Sequence, residues 1–133
     1  MAPDAKFYLL KTEEEATEYI VEEYNWAAAA EYADSAGADI INSSLGYTEY
    51  DAASQSYTYA DMNGSTAPIT IAADIAVDKG VLVVNSAGNS GSDAWFGIGD
   101  PVVPGPWVSV RRSVPAYSNQ YGDAAYRLAV RIG

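Results

Sequence analysis

The chain has no cysteine and no histidine in 133 residues. Without cysteine there is no disulfide framework and no thiolate to bind metal or act as nucleophile, and the redox compartment is left open. Without histidine, no imidazole is at hand as a general base near neutral pH. Arginine is missing from the first 110 residues, where Lys6, Lys11 and Lys79 are the only basic side chains. The net charge of −11 and pI near 4.1 argue against nucleic acid and against anionic membrane surfaces as partners. No apolar run approaches the roughly twenty residues that cross a bilayer, and no secretory leader opens the chain. There is no repeat, no low-complexity tract and no motif that asks for a cofactor.

What is present is an ordinary globular composition, 49% hydrophobic, which is enough for one domain with a real core. The organising stretch is Gly80-Val81-Leu82-Val83-Val84-Asn85-Ser86-Ala87-Gly88-Asn89-Ser90-Gly91. Its first half suits a strand buried on both faces, as in a parallel sheet. Its second half is small, polar and glycine-rich, so the strand ends in a loop that hugs backbone. In open α/β sheets, sites form just beyond the carboxyl ends of strands, which singles out Asn89.

The run from Val83 to Gly91 resembles the block around the oxyanion-hole asparagine of subtilisin-like serine proteases, the subtilases. Two further blocks follow that family's order. Ala38-Asp39-Ile40-Ile41-Asn42-Ser43-Ser44-Leu45-Gly46 resembles the strand and loop lining the substrate cleft, and residues 2–11 resemble the strand after the helix that carries the catalytic histidine. The resemblance implies Asn89 as oxyanion donor, with Ser44, Leu45, Gly46 and Gly88 in substrate binding and an extended peptide as ligand. It also implies a serine, a histidine and an aspartate acting together. Those motifs would fall before Met1 and after Gly133, so the chain reads as a central fragment without efficient protease activity.

In order along the chain, Lys6 to Lys11 reads as a first strand. Thr12 and Glu15 have capping-box spacing for a helix start. A firmer helix spans about Val21 to Ser35 and stops at Gly37; Ile20, Tyr24, Ala27, Ala28, Glu31 and Tyr32 share a face that suits core packing. Asp39 to Ser43 is a second strand. Residues 47–65 mix Tyr47, Tyr50, Tyr57 and Tyr59 with Glu49, Asp51 and Asp61. This reads as a surface insertion, with carbohydrate or cation binding as the sharper alternative. The acids lack calcium-loop spacing, so no metal is expected there. Ser65 or Thr66 caps a helix with Pro68 in its first turn, Ile71, Ala72 and Ile75 forming its apolar stripe and Gly80 its stop. Val81 to Asn85 is the third strand, and Trp107 to Val110 a candidate fourth.

The expected fold class is therefore α/β: a partial doubly wound parallel sheet of three to four strands with helices packed on it, subtilisin-like. Residues 1–110 form the core fragment. Residues 111–133 form a basic tail, carrying all four arginines against one acid. That tail reads either as altered relative to the family, by truncation, frameshift or a junction, or as a basic segment lying across an acidic body. A sheet with missing strands leaves open edges, so a homodimer or segment swap is expected. Light scattering at the monomer mass of 14.1 kDa at every concentration would contradict it. Two other functions stay open: a hydrolase acting on carbohydrate through paired carboxylates, and a non-catalytic binding or assembly module.

Overall fold

The structure is a computed structural model and describes residues 4–86 and 128–132. Strand β1 (Lys6–Leu10) leads through an irregular stretch into helix α1 (Val21–Ser35), then strand β2 (Ala38–Ser43). Two short 3-10 turns precede helix α2 (Pro68–Asp78), strand β3 (Leu82–Asn85) and strand β4 (Leu128–Ile132). The sheet order is β1-β4-β2-β3. β2 and β3 pair in parallel, Ile41 opposite Val83. β4 runs antiparallel to both neighbours, so β1, β2 and β3 all point the same way.

The α/β class and the parallel β2–β3 pair match the sequence reading, whereas the sheet as a whole is mixed. Its fourth strand comes from the basic tail: Leu128–Ile132 sits between β1 and β2, paired with each over most of its length. Trp107 to Val110 lies outside the described residues. Both crossovers advance in one direction across the sheet, which sets α1 and α2 on the same face, in contact with each other. Among the described residues the sheet is thus helix-covered on one side, rather than doubly wound. The strand exposures follow from this. Ile41 and Val83 are fully buried beneath the helices, while Phe7 and Leu9 of β1 and Leu82 of β3, on the opposite pleats, are exposed.

Helix α1 begins and ends where its composition predicts, with Gly37 in the left-handed region at φ 78° just after it. The buried face is a different one from the face expected. Glu22, Glu23, Trp26, Ala30 and Ala33 point inward, whereas Tyr24, Glu31 and Tyr32 are exposed. Alanine gives the helix little polarity of its own, so its orientation is set by Trp26. The indole of Trp26 is wholly enclosed and donates from Nε1 to Ser43 Oγ at 3.2 Å. Burial of a side chain this large stabilises by about 3–5 kcal/mol relative to alanine.

Three further expectations change. No helix starts at Thr12; its hydroxyl donates to the Glu13 carboxylate within an irregular stretch. On α2 the buried residues are Ile69, Thr70, Ala73 and Ala76, while Ile71 and Ile75 are exposed. Neither Ser65 nor Thr66 caps that helix. Asn63 gathers both, its Oδ1 accepting from the Ser65 amide at 2.9 Å and bonding both hydroxyls. The Asn63-Gly64 turn itself is present, with Gly64 at φ 80°.

Candidate functional site

β2 and β3 end side by side, and their ladder continues one step further through Ser86 N–H donating to Ser43 C=O at 3.0 Å. Beyond Ser43 the chain alternates. Ser44 is exposed, Leu45 is buried and Gly46 is exposed. The Leu45 side chain anchors this loop in the core, and its carbonyl accepts from the buried Asn85 amide at 3.4 Å. The same amide donates to Ser86 C=O at 2.8 Å. Asn85 thereby ties the loop after β2 to the end of β3, holding Ser44 and Gly46 outward on a fixed backbone. Gly88 and Asn89 lie outside the described residues.

A second constellation escaped the sequence reading. The first turn of α1 buries two adjacent glutamates, Glu22 and Glu23. Glu23 is enclosed on every side and its carboxylate is saturated. Oε1 accepts from the Tyr50 hydroxyl and from the Tyr57 hydroxyl at 2.6 Å, and Oε2 accepts from Ile69 N–H at 3.0 Å. Ile69 sits in the first turn of α2, so a glutamate 46 residues earlier supplies that helix with its N-terminal acceptor. Tyr47 and Tyr50 stack at 5.9 Å and lie in the core, correcting the surface insertion expected for this segment. Tyr59, with 71% exposure, keeps the surface position. Burial and the bond to Glu23 push the Tyr50 phenol well above its ordinary range, so it stays a donor.

Glu22 is also buried but faces other carboxylates. Oxygens of Glu13, Glu18 and Glu22 lie within 4.8 Å of one another. Glu22 Oε1 accepts from Tyr19 N–H at 3.3 Å, while Oε2 is buried and has no donor among the described residues. Glu13 accepts from the Tyr47 hydroxyl and from Thr12 Oγ1 at 3.0 Å. Asp51 adjoins Glu18, its Oδ2 accepting from Glu18 N–H at 3.1 Å while Asp51 N–H donates to Glu18 C=O at 3.0 Å. No cationic side chain among the described residues forms an ion pair with any of the three glutamates. Burial, then hydrogen bonding with the Glu13 carboxyl and the charge of Glu13, raises the Glu22 carboxyl from 4.5 to about 7. Burial, then Glu13 and Asp51, raises Glu18 as well. Two ionised carboxylates 4 Å apart repel by about 4 kcal/mol at the effective dielectric of a protein surface.

These glutamates were illegible in sequence because acids at a helix start are usually solvated and favoured by the helix dipole. The faint signal was the tyrosine-rich segment 47–57, whose hydroxyls turn inward to Glu13 and Glu23. Of the acids read alongside those tyrosines, Asp61 instead accepts from the Thr58 backbone and hydroxyl at its own 3-10 turn, which lowers its pKa. Elsewhere, a groove of about 330 Å³ between α1 and α2 is lined by alanines, Ile75 and the Asp34–Lys79 ion pair. Its other polar side chain is Glu31, and the Lys79 amine is held by Asp34 in their ion pair.

No curated protein and no solved structure matches the chain. The model of the subtilase family matches residues 1–124. That span includes all three resembling blocks and most of the chain, so the chain belongs to the subtilase family.

Proposed function

We propose that the chain forms part of the peptide-binding side of a subtilisin-like serine hydrolase. In this reading Ser44 and Gly46 offer backbone N–H and C=O groups to an extended peptide, as an added strand at a sheet margin would use them. Gly88 allows close approach, and Asn89 donates its amide to the oxygen that turns negative during acyl transfer. The observation that carries the reading is the outward, tethered Ser44-Leu45-Gly46 loop, within a span that the family model matches. These 133 residues contain no histidine, and a serine without a base is a poor nucleophile. The chain therefore binds peptide better than it cleaves it.

The test is fluorescence anisotropy of a labelled extended tetrapeptide with the full chain, and with Gly46→Pro, which removes one backbone donor. Loss of one such bond weakens binding about tenfold. Peptide or ester hydrolysis stays at background in both the wild type and Asn89→Ala. Binding indifferent to Gly46→Pro would overturn the cleft assignment. Polysaccharide hydrolysis indifferent to Asn89→Ala would point to carboxylate chemistry instead.

A further inference from the structure

We propose that Glu13, Glu18 and Glu22 form a binding site for one calcium ion, between the stretch after β1 and the first turn of α1. Two separate observations point to a ligand. The first is the convergence of three carboxylates within 4.8 Å, with no cationic side chain among the described residues paired to them. The second is Glu22 Oε2: the residue is only 2% exposed, yet this oxygen finds no donor among the described residues. A buried carboxylate oxygen needs a donor or a cation. Its neighbour Glu23 shows what satisfaction looks like here, with three donors on two oxygens.

The donor chemistry selects the metal. All three ligands are carboxylates, which suits hard cations and disfavours zinc or copper. Calcium–oxygen bonds of about 2.3–2.6 Å place ligands on opposite sides of the ion about 5 Å apart, compatible with the observed convergence. Magnesium, at about 2.0–2.1 Å, requires a tighter and more regular shell. Glu13 and Glu18 are half-exposed, giving the ion an approach from solvent and room for water ligands. Asp51 beside Glu18 adds negative potential, and the Tyr47 hydroxyl orients Glu13. The alternative occupant is a proton shared between Glu22 and Glu13.

The experiment is calcium titration of the chelator-treated full chain by calorimetry near neutral pH, repeated with Glu18→Gln, Glu22→Gln and the exposed control Glu14→Gln. One calcium per chain is expected, weakened at least roughly tenfold in Glu18→Gln and Glu22→Gln and unchanged in Glu14→Gln. Glu18→Gln changes a half-exposed side chain, so it reports even if Glu22→Gln fails to fold. Terbium offers a second readout, since tyrosine-sensitised emission should fall in Tyr47→Phe. Absence of saturable calcium uptake would overturn the site in favour of the shared proton. Uptake weakened equally by Glu14→Gln and Glu18→Gln would overturn it in favour of diffuse attraction to an acidic surface. None of these readouts involves peptide, so this site and the cleft assignment stand or fall separately.

Discussion

Glu22 and Glu23 are sequence neighbours of the same chemistry and nearly the same burial, yet their surroundings are opposite. Glu23 points into a nest of donors: two tyrosine hydroxyls and the amide that opens α2. Glu22, one residue earlier and turned about 100° around the helix, points at Glu13 and Glu18. The first carboxylate welds α1, α2 and the tyrosine segment together. The second concentrates negative charge where the described residues supply no counter-charge. Burial alone therefore says little about what a buried acid does; the sign and number of its neighbours decide.

The sharpest way to break the contrast is to truncate each acid. Glu23→Ala leaves the buried Tyr50 hydroxyl and Ile69 amide unpaired, at about 1–3 kcal/mol each. With the lost packing, urea unfolding should show a loss of about 3–5 kcal/mol. A loss under about 1 kcal/mol would mean that the α2 start is held some other way.

The pH dependence of stability in metal-free protein should follow Glu22. Its folded pKa, about 7, lies above the unfolded value of 4.5, so the native state holds the proton more tightly. That favours folding fully below about pH 4.5, and the contribution is lost as pH rises through about 7. Glu18 and Asp74, also raised, act in the same direction, whereas lowered Asp61 acts in the opposite one. Urea midpoints across this window should fall for the wild type and flatten for Glu22→Gln.

The smallest effect belongs to Tyr57→Phe, which removes one of the three donors to Glu23 and should cost about 1 kcal/mol by the same unfolding measurement. A much larger loss would show the nest to be cooperative rather than additive.

Much of the framework was legible because local signals agreed with the global fold. Apolar runs marked β1, β2 and β3, an alanine-rich segment marked α1, and Gly37 and Gly80 marked two helix ends. The loop after β2 was also found, through its resemblance to a cleft wall. What failed were side-chain and strand placements decided at long range, although the parallel β2–β3 pair was anticipated. Glu23 caps a helix 46 residues away, so Ser65 and Thr66 looked like the obvious candidates and were not used. The Ala-rich face of α1 carried too little polarity to show which side Trp26 would bury. β4 was hidden because Leu128-Ala129-Val130-Arg131-Ile132 sits in an arginine-bearing tail, although its aliphatic content is that of a strand. The carboxylate site was invisible for the same reason: Glu13, Glu18 and Glu22 meet only once the stretch after β1 folds back on α1.

The most direct test compares urea unfolding of the wild type and Glu22→Gln at about pH 8, first with chelator and then with saturating calcium. Without calcium the glutamine variant should be the more stable of the two, because it removes an ionised carboxylate from a crowded acidic site. With calcium the order should invert. A variant less stable than the wild type under both conditions would mean that Glu22 is already satisfied, and would contradict the account.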